Sequence, residues 1–452
     1  MPWTRPSWRA FRGVPPERLV VITTVLDPAG GAVDDACLPA VCRIGLLGLG
    51  NIGSAFARLT REAAAHLSPR GIAPLISTAL VRTTARSRPA ANLVAMVTDV
   101  PDLFFSQPID VVVEVLGGIE PAYSLVRRAL DLGIPVVTAN KSLIAAHGEE
   151  LAQLARRRAT ALRFEAGCIS GVPFLGTFER RPLAARATGV TGILNGTSNS
   201  ILSAMCAGVR FDTALAEAQR LGLAEPDPSM DISGADAAEK LSILARLFGR
   251  VIVDPQAVPS EGIGSVDPQD IAAATAFDGA VKPLAQASWS DDASVRAFVG
   301  PTWLAGTHPL ARVMGVTNGI LIDTPRGSQC YVGPGAGPDV TAATILDDVV
   351  ELRAERRVRT PSAEVSRVAA SIVRPESAWF LRLNGDARNA DVADLLGSYG
   401  VWCTRIARRG DRTYALTCAA TPARVQTALE AVQSVTHGPA AAFPALGGDA
   451  AC

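Results

Sequence analysis

The feature that most constrains this sequence is a strand-like run followed by a glycine-rich turn and a helical pattern. It begins at Val41 and reads VCRIGLLGLGNIGSAFARLTREAA, with Gly48, Gly50 and Gly53 in the spacing G-x-G-x-x-G. In this context the first glycine allows a tight turn, the second lets the backbone approach a pyrophosphate, and the third lets helix and strand pack closely. The pattern predicts a dinucleotide-binding domain. A glycine-rich turn without a ligand is the alternative.

A β-α-β alternation continues the pattern. Leu75–Val81 reads as a strand, and the segment IDVVVEVLGGIEPAYSLVRRALDLGIPVVTANKSL predicts a strand, a turn at Gly117–Gly118, a helix and another strand. Such alternation favours a parallel sheet with helices on its faces. The strand ends at Gly117–Gly118 and Thr138–Lys141 should then point to one edge of the sheet. Ligands of doubly wound folds bind at that edge.

Arginines follow the predicted second strand. Arg82, Arg86 and Arg88 lie there, and no acidic residue stands near the end of that strand. A carboxylate in this place binds the ribose hydroxyls of NAD and repels the additional phosphate of NADP. The sequence therefore predicts that NADP is accepted and preferred, with NAD possible. Solvated arginines in an arginine-rich protein are the alternative.

Composition excludes several classes of protein. The 452 residues carry 43 Lys+Arg and 43 Asp+Glu, without a basic block, which argues against nucleic-acid binding. No apolar run approaches the roughly 20 residues of a membrane helix. Eight cysteines are scattered without a C-x-x-C pair, which predicts reduced thiols in a cytoplasmic protein rather than a zinc cluster or a disulfide framework.

The segment AEPDPSMDISGADAAEKLSILARLF is the most informative one for chemistry. Its two prolines exclude a regular helix, so Glu225 and Asp227 are predicted to lie on a loop. A strong helical run follows Gly234. Within it Asp236 and Lys240 are four residues apart, which places them on one helix face. A surface ion pair is the alternative.

Lysine is rare in this chain. Its only lysines are Lys141, Lys240 and Lys282, and every other basic residue among the 43 Lys+Arg is arginine. A guanidinium stays protonated near neutral pH, whereas an ammonium group can exchange its proton when burial or a neighbouring cation lowers its pKa. This predicts that Lys141 and Lys240 are candidates for catalysis. No role for Lys282 follows from the sequence.

Seven motifs together resemble one family. In chain order they read GLGNIG, VVEVLGG, TANKSL, GILNGTSNSIL, AEPDPSMDISGADAAEK, HPLARVMGVTN and YVGPGAG. This order is similar to that of the homoserine dehydrogenases, over a stretch from about Val41 to Glu355. The resemblance implies NAD(P)-dependent interconversion of L-homoserine and L-aspartate 4-semialdehyde, in the biosynthesis of threonine, methionine and isoleucine.

The resemblance also assigns roles to residues. Lys240 matches the acid/base lysine of the family, Asp236 the aspartate that contacts the substrate, and Glu225 the glutamate that holds it. Lys141 matches the lysine close to both the nicotinamide and the substrate. Repulsion from Lys141 would lower the pKa of Lys240 and ease proton exchange.

Cofactor and cation positions carry over in the same way. The predicted cofactor contacts are Gly48, Gly50, Asn51, Ile52, Gly53, Arg82, Gly117, Gly118, Lys141 and Gly335. The loop EAGCISGVP resembles the family's site for a monovalent cation, usually Na⁺. The matching ligands are the Glu165 carboxylate and the carbonyl oxygens of Cys168, Ser170 and Val172, and oxygen ligands suit a hard cation. An unliganded structural loop is the alternative.

The resemblance implies an α/β chain with a Rossmann-type cofactor domain, a second α+β catalytic and dimerisation domain, and a small C-terminal α+β unit similar to an ACT module. That module usually opens with D-x-P-G, whereas the turn here reads NGDARNADV, which puts feedback by threonine in doubt. The predicted boundaries are an N-terminal extension (1–40), the cofactor domain (41–150 and 308–355), the catalytic domain (151–307), a linker (356–377) and the ACT-like unit (378–438).

Two other functions stay open at this stage. Ser200 stands in NGTSNSIL where an aromatic residue is common, so a related dehydrogenase acting on a modified amino alcohol or semialdehyde is one alternative. A non-catalytic sensor of NADP or an amino acid is the other. The expected partners are a small-molecule substrate and copies of the same chain in a homodimer or homotetramer, with neither nucleic acid nor membrane.

Overall fold

The structure is a computed structural model. It describes residues 39–172, 174–176, 187–290, 294–335, 337–354, 371–385, 388–436 and 438–447. The predicted N-terminal extension therefore lies outside the described residues up to position 38. The predicted linker lies outside them up to position 370.

A parallel sheet forms the first layer of the fold, with the strand order β3-β2-β1-β4-β5-β6. Its strands are β1 (Ala40–Leu47), β2 (Ile72–Leu80), β3 (Val97–Thr98), β4 (Val111–Glu114), β5 (Val136–Thr138) and β6 (Leu162–Arg163). The central strand β4 is buried along its whole length, as a parallel strand covered on both faces must be. The predicted doubly wound cofactor domain is confirmed.

Helices cover this sheet. They are α1 (Asn51–Leu67), α2 (Pro101–Phe105), α3 (Ala122–Asp131), α4 (Lys141–Arg157) and the short α5 (Glu165–Ile169). Apolar side chains on one side of α3 are buried, including Leu125, Val126 and Ala129, because they repeat at helical spacing toward the sheet.

A second, mixed sheet forms the rest of the described structure, in the order β11-β10-β7-β8-β9-β16-β13-β15-β14, with β12 paired to β9. Its strands are β7 (Gly189–Ile193), β8 (Gly279–Trp289), β9 (Ser294–Ala305), β10 (Thr317–Thr324), β11 (Gly327–Pro334), β12 (Ser371–Val373), β13 (Ala378–Asn384), β14 (Cys403–Arg409), β15 (Arg412–Thr417) and β16 (Ala440–Leu446). Long antiparallel pairing of β8 with β9 forms its centre.

Further helices pack on the second sheet or link it to the first. They are α6 (Gly196–Cys206), α7 (Phe211–Arg220), α8 (Ser229–Ser233), α9 (Ala235–Leu244), α10 (Pro268–Ala276), α11 (Pro338–Ala354), α12 (Asn389–Ser398) and α13 (Pro422–Thr436). A π-helical turn, Ala245–Gly249, extends α9.

The domain boundaries differ from the predicted ones. Residues 308–355 were assigned to the cofactor domain, but β10 and β11 lie in the second sheet, where β10 pairs with β7. In the described part of this range, α11 is the element that returns to the cofactor domain, where it packs on α1. Residues 151–163 complete α4 and β6 in the first sheet, so the predicted boundary at 150 is too early. Hydrogen bonding between non-consecutive strands, which the local pattern does not report, decides both assignments.

The C-terminal unit is built into the second sheet. It runs β13-α12-β14-β15-α13-β16, and its last strand pairs with β9 of the central domain. Its sheet extends to Leu446, beyond the predicted end at 438, and β12 lies within the predicted linker. On its inner face Asp270 of α10 binds Arg382 at 2.6 Å and accepts a bond from the Tyr414 hydroxyl at 3.1 Å.

Among the described cysteines, Cys418 is disulfide-bonded, which contradicts the expectation of reduced thiols for that residue. The others are free thiols: Cys42, Cys168, Cys206, Cys330 and Cys403. No helix within the described ranges combines the length and the apolar character needed to cross a bilayer.

Candidate active site

The glycine turn between β1 and α1 has the geometry of a phosphate cradle. Gly48 takes a positive φ of 105°, and a Cβ on Gly53 would lie 2.2 Å from the Gly48 carbonyl oxygen, so a side chain at that position is excluded. Around Gly50 there is open space, and no side chain caps α1. The N-terminus of a 17-residue helix therefore faces an open turn, which suits a pyrophosphate. Asn51 and Ile52 form the first turn of this helix.

The loop after β2 presents arginines to solvent. Arg82 and Arg86 are exposed, whereas Arg88 donates to the carbonyl oxygens of Thr83 and Arg86 at 2.9 and 2.8 Å and thereby shapes the loop. The nearby carboxylate of Asp99 accepts bonds from the backbone N–H and the hydroxyl of Thr84. The exposed guanidinium groups thus lie at the place where a Rossmann domain reads the adenosine ribose.

The ends of β4 and β5 meet at one edge of the sheet, as predicted. The Asn140 side chain donates from Nδ2 to the Gly118 carbonyl oxygen at 2.6 Å, and its Oδ1 accepts from the Leu143 backbone N–H as the N-cap of α4. Lys141 is the first residue of that helix. The Gly117–Gly118 turn and Lys141 are therefore parts of one continuous edge.

A cluster of two lysines and one aspartate lies at this edge. Lys141 of α4 donates to Asp236 Oδ1, and Lys240 Nζ lies 2.9 Å from Asp236 Oδ2, the predicted contact across one turn of α9. Lys240 Nζ also donates to the Leu194 carbonyl oxygen at 2.7 Å. The alternative of a surface ion pair is wrong, because the Asp236 side chain is only 3% exposed. Asp236 thus joins a helix of the cofactor domain to the central domain.

Charge explains the protonation of this cluster. Burial opposes ionisation of Asp236, but Lys240 and Lys141 outweigh it and hold the pKa of the carboxyl group well below its usual range. Burial also disfavours the charge on Lys141, yet the adjacent Asp236 raises the pKa of its ammonium group. The Asp236 carboxylate lies between the two lysines, so it separates the two ammonium groups from each other.

Two residues of the cluster were not singled out from the sequence. Asn195 donates from Nδ2 to Asp236 Oδ2 at 2.9 Å and to Asp231 Oδ1 at 2.7 Å. Burial raises the pKa of Asp231, and the charge of nearby Asp236 adds to this effect. Both residues stand inside motifs that carry the family resemblance, GILNGTSN and DPSMDISGADAAEK. Their position in those motifs is the signal that could have identified them.

Glu225 lies apart from this cluster. It stands on the predicted loop before α8, with an exposed side chain, and within the described ranges that side chain makes no ion pair. Its backbone carbonyl oxygen accepts a bond from Gln219. The structure brings together Lys141, Asp236 and Lys240, and leaves Glu225 facing solvent.

The EAGCISGVP loop is tightly bonded. Glu165 Oε1 accepts the backbone N–H groups of Phe174 and Leu175 at 2.7 and 2.8 Å, and Oε2 accepts the Gly176 N–H at a longer distance of 3.4 Å. Burial raises the pKa of Glu165, and the backbone hydrogen bonds to its carboxylate offset only part of this effect. In the described part of the chain no three His, Cys, Asp or Glu side chains converge on a metal position. A cation at this loop would therefore depend on Oε2 and on backbone oxygens.

The predicted backbone ligands of this loop lie close to α11. Cys168 is fully buried in α5, and the Ser170 hydroxyl donates to the Ala166 carbonyl oxygen at 2.9 Å and accepts from the Thr341 hydroxyl. The backbone N–H of Val172 donates to the Ile169 carbonyl oxygen. The loop thus connects the cofactor domain to the helix that returns to it.

Gly335 follows β11, beside the α6 segment that carries Asn195. Its N–H donates to the Val316 carbonyl oxygen at 2.8 Å, and a Cβ there would lie 2.5 Å from that oxygen and from the Asn318 side chain. Lys282 is buried, and its ammonium group donates to the Val313 carbonyl oxygen at 2.6 Å and contacts Met314. It lies outside the Asp236 cluster.

A parallel-sheet cofactor domain, a helix N-terminus at a glycine turn and a lysine–aspartate cluster at the same sheet edge define a dinucleotide-dependent oxidoreductase. The family model described as homoserine dehydrogenase matches residues 173–350, and that of the homoserine dehydrogenase NAD-binding domain matches residues 48–165. A homoserine dehydrogenase of Mycobacterium tuberculosis is 35% identical over 382 residues, which are 81% of this chain and 84% of that protein. The chain belongs to the homoserine dehydrogenase family.

Other relatives agree. A homoserine dehydrogenase of Synechocystis sp. is 37% identical over 69% of this chain and 73% of its own length. The crystal structure of a homoserine dehydrogenase from Thiobacillus denitrificans superposes with a TM-score of 0.80 at 31% identity, over 90% of this chain and 99% of that one. A hyperthermophilic archaeal homoserine dehydrogenase in complex with NADPH gives a TM-score of 0.58 at 26% identity, over 70% and 98%.

Proposed function

We propose that this chain catalyses the NAD(P)-dependent interconversion of L-homoserine and L-aspartate 4-semialdehyde, the branch step toward threonine, methionine and isoleucine. The observation that carries this proposal is the Lys141–Asp236–Lys240 cluster at the carboxyl edge of the cofactor sheet. Membership of the homoserine dehydrogenase family supports the choice of substrate.

The glycine turn at the N-terminus of α1 would hold the cofactor, which would supply the hydride acceptor or donor. Lys240 is the acid/base group, because its ammonium is directed by Asp236 and by the Leu194 carbonyl oxygen. As a neutral amine Lys240 takes the hydroxyl proton during oxidation and becomes an ammonium group. In reduction the ammonium group donates its proton to the carbonyl oxygen, where negative charge develops. Asp236 and Asp231 present carboxylates that suit the substrate's α-ammonium group. The family resemblance assigns Glu225 to the same group, and its side chain lies exposed on the loop before α8.

The exposed arginines after β2 support a preference for NADP. Arg82 and Arg86 supply positive charge, and Asp99 is engaged by Thr84. Replacing Arg82 with Glu should raise the KM for NADP by about tenfold or more while the KM for NAD changes little, because a carboxylate repels the additional phosphate. Equal changes for both cofactors would contradict this preference. Steady-state kinetics with each cofactor measures it.

The remaining proposals concern a monovalent cation site, the C-terminal ACT-like module and the oligomeric state. Glu165 Oε2, with the carbonyl oxygens of Cys168, Ser170 and Val172, suits a monovalent cation such as Na⁺, because all are oxygen donors. The β-α-β-β-α-β order of the C-terminal unit suits an ACT-like module, although its first turn lacks Pro-Gly. We also propose that the protein is cytoplasmic and forms a homodimer or a homotetramer.

One assay tests the activity. Purified protein is incubated with homoserine and either NADP or NAD, with and without threonine, and the Lys240→Ala variant is compared with Arg388→Ala, a change at an exposed ion pair. We expect turnover with homoserine, its loss in Lys240→Ala with unchanged cofactor affinity, and wild-type rates in Arg388→Ala. Absence of turnover in a wild-type protein that binds NADPH would refute the proposed substrate. Undiminished turnover in Lys240→Ala would refute the role of that lysine.

A further inference from the structure

A buried carboxyl group lies beneath the cofactor edge of the parallel sheet. Glu114 is the last residue of β4 and is 0% exposed. Its Oε1 accepts the Leu116 backbone N–H at 2.7 Å, and its Oε2 accepts the Thr138 hydroxyl at 2.5 Å. A carboxyl group buried in this way is costly unless its oxygens are bonded, and both are bonded here. Glu114 makes no contact with the lysine–aspartate cluster within the described ranges, so any effect on that cluster passes through its neighbours.

The bonds continue from Glu114 to the two elements of the edge. The Thr138 hydroxyl, which donates to Glu114, accepts the Asn140 backbone N–H at 3.0 Å. The Asn140 side chain then donates to the Gly118 carbonyl oxygen at 2.6 Å and caps α4 through the Leu143 N–H at 3.1 Å. Asn140 Nδ2 also contacts Glu114 Oε1 at 3.4 Å, so Glu114 reaches Asn140 both directly and through Thr138. The single hydroxyl proton of Thr138 is committed to Glu114.

Two groups with proposed roles are positioned at the end of this chain of bonds. The Gly117–Gly118 turn has φ values of 74° and 70°, a region that glycine adopts readily but at a high cost in conformational entropy. The hydrogen bond from Asn140 to Gly118 therefore helps to hold this turn in one conformation. Lys141 directly follows the capping residue Asn140, so the direction of the first turn of α4 sets the position of its ammonium group. A shift of about 1 Å in such a group is enough to reduce a rate by roughly a hundredfold.

We propose that Glu114 is a positioning residue that acts through Thr138 and Asn140 to fix both the Gly117–Gly118 turn and the start of the helix that carries Lys141. This inference rests on the proposed function for the role of Lys141. Its effect on the cofactor edge does not require that homoserine be the substrate. Burial keeps the network in one arrangement, since water cannot replace the Thr138 hydroxyl there.

The test compares Thr138→Val, which removes the hydroxyl at nearly constant shape, with Thr138→Ser, which keeps it. Thr78→Val is the matched control. Thr78 is equally buried in β2 of the same sheet, and its hydroxyl has no hydrogen-bond partner in the part of the chain that the structure describes. The measurements are kcat and KM for homoserine, the Kd for NADPH by fluorescence, and the urea unfolding midpoint.

We expect Thr138→Val to lower kcat by about tenfold to a hundredfold and to weaken NADPH binding severalfold, with Thr138→Ser within about threefold of wild type. Thr78→Val should leave all three measurements unchanged. If Thr138→Val changes neither kcat nor the NADPH Kd, or if Thr138→Ser loses as much as Thr138→Val, the proposal is overturned.

A second variant keeps the test decisive if Thr138→Val does not fold. Asn140→Ser preserves the ability to cap α4 but cannot reach the Gly118 carbonyl oxygen. It should fold with a near-normal unfolding midpoint and bind NADPH several times more weakly. Unchanged cofactor affinity in this variant would overturn the proposal. A wild-type protein that binds NADPH normally and does not oxidise homoserine would defeat the proposed function alone, because the NADPH measurements still decide the role of the network.

Discussion

Replacement of Asp236 with Asn tests the centre of the site, because it removes one negative charge and keeps the shape of the side chain. In the wild type this buried carboxylate contacts both Lys141 and Lys240. Breaking a buried ion pair by removing one partner costs roughly 3–5 kcal/mol, since a charge is left uncompensated. The Lys141 side chain is 34% exposed and keeps some hydration, so the lower end, about 3 kcal/mol, is the expected loss in unfolding free energy.

The Asp236→Asn variant should also lose activity, and its loss of unfolding free energy should depend on pH. With Asn at position 236, Lys240, the proposed acid/base group, loses its anion, and kcat/KM for homoserine should fall by about a hundredfold or more. The folded-state pKa of Asp236 is lowered, so its stabilisation is fully present above the unfolded pKa of about 3.9 and is lost as the pH falls below that value. The difference between wild type and Asp236→Asn should therefore be constant from pH 7 to about pH 5 and should shrink below pH 4.

Urea unfolding at several pH values, together with steady-state kinetics, measures both quantities. The control is Asp339→Asn, which removes a carboxylate from an ion pair with Arg58 whose Asp339 side chain is 83% exposed. It should cost about 0.5 kcal/mol or less and leave kcat/KM unchanged. The reasoning is refuted if Asp236→Asn costs no more than this control, or if the difference persists unchanged at pH 3.5.

Three further predictions concern residues away from the reacting atoms. Gly148→Ala should lower the unfolding free energy by about 1 kcal/mol, because a Cβ there would lie 3.1 Å from both Arg246 Nη1 and Ile144 Cγ2. Arg246 is held by two carbonyl oxygens of α4, so this crowding exceeds the helix-propensity gain of up to about 1 kcal/mol, and a neutral urea midpoint would contradict this. Asp270→Ala should cost about 3 kcal/mol and loosen the C-terminal unit, because it leaves Arg382, whose side chain is only 14% exposed, without its anion. Urea unfolding and limited proteolysis measure these two effects, and unchanged protease resistance would count against the prediction. Burial lowers the pKa of Lys282, so the unfolded state binds the proton more tightly, and the unfolding free energy of the wild type should rise as the pH increases toward about 10. Lys282→Met should lack this rise, and parallel pH profiles of the two proteins would disprove the prediction.

The cofactor turn and the helix of the site could be predicted from local sequence. A G-x-G-x-x-G pattern between an apolar run and a helical run leaves little other choice, because backbone sterics at Gly48 and Gly53 are local. The i, i+4 contact of Asp236 with Lys240 follows from helix geometry alone. In both cases the interacting groups are within a few residues of each other.

Sheet membership and partners distant in sequence could not be predicted in this way. Residues 317–334 resemble any pair of strands, and only hydrogen bonding to β7 places them in the second sheet rather than the first. The continuity of the C-terminal unit with the central sheet depends likewise on the pairing of β16 with β9. Both choices depend on which surfaces are buried together, and a local pattern carries no record of that.

The sequence by itself determined the cofactor fold, the family and the lysines proposed to carry the chemistry, because these depend on residue type and short spacing. Only the tertiary structure placed Asp236 between Lys141 and Lys240, added Asn195 and Asp231, and located Glu114 beneath the cofactor edge. The physical reason is that the strength and direction of a charge interaction depend on burial and on distances of a few ångströms. Folding sets those distances by bringing together residues that lie some 20 to 100 positions apart in the chain.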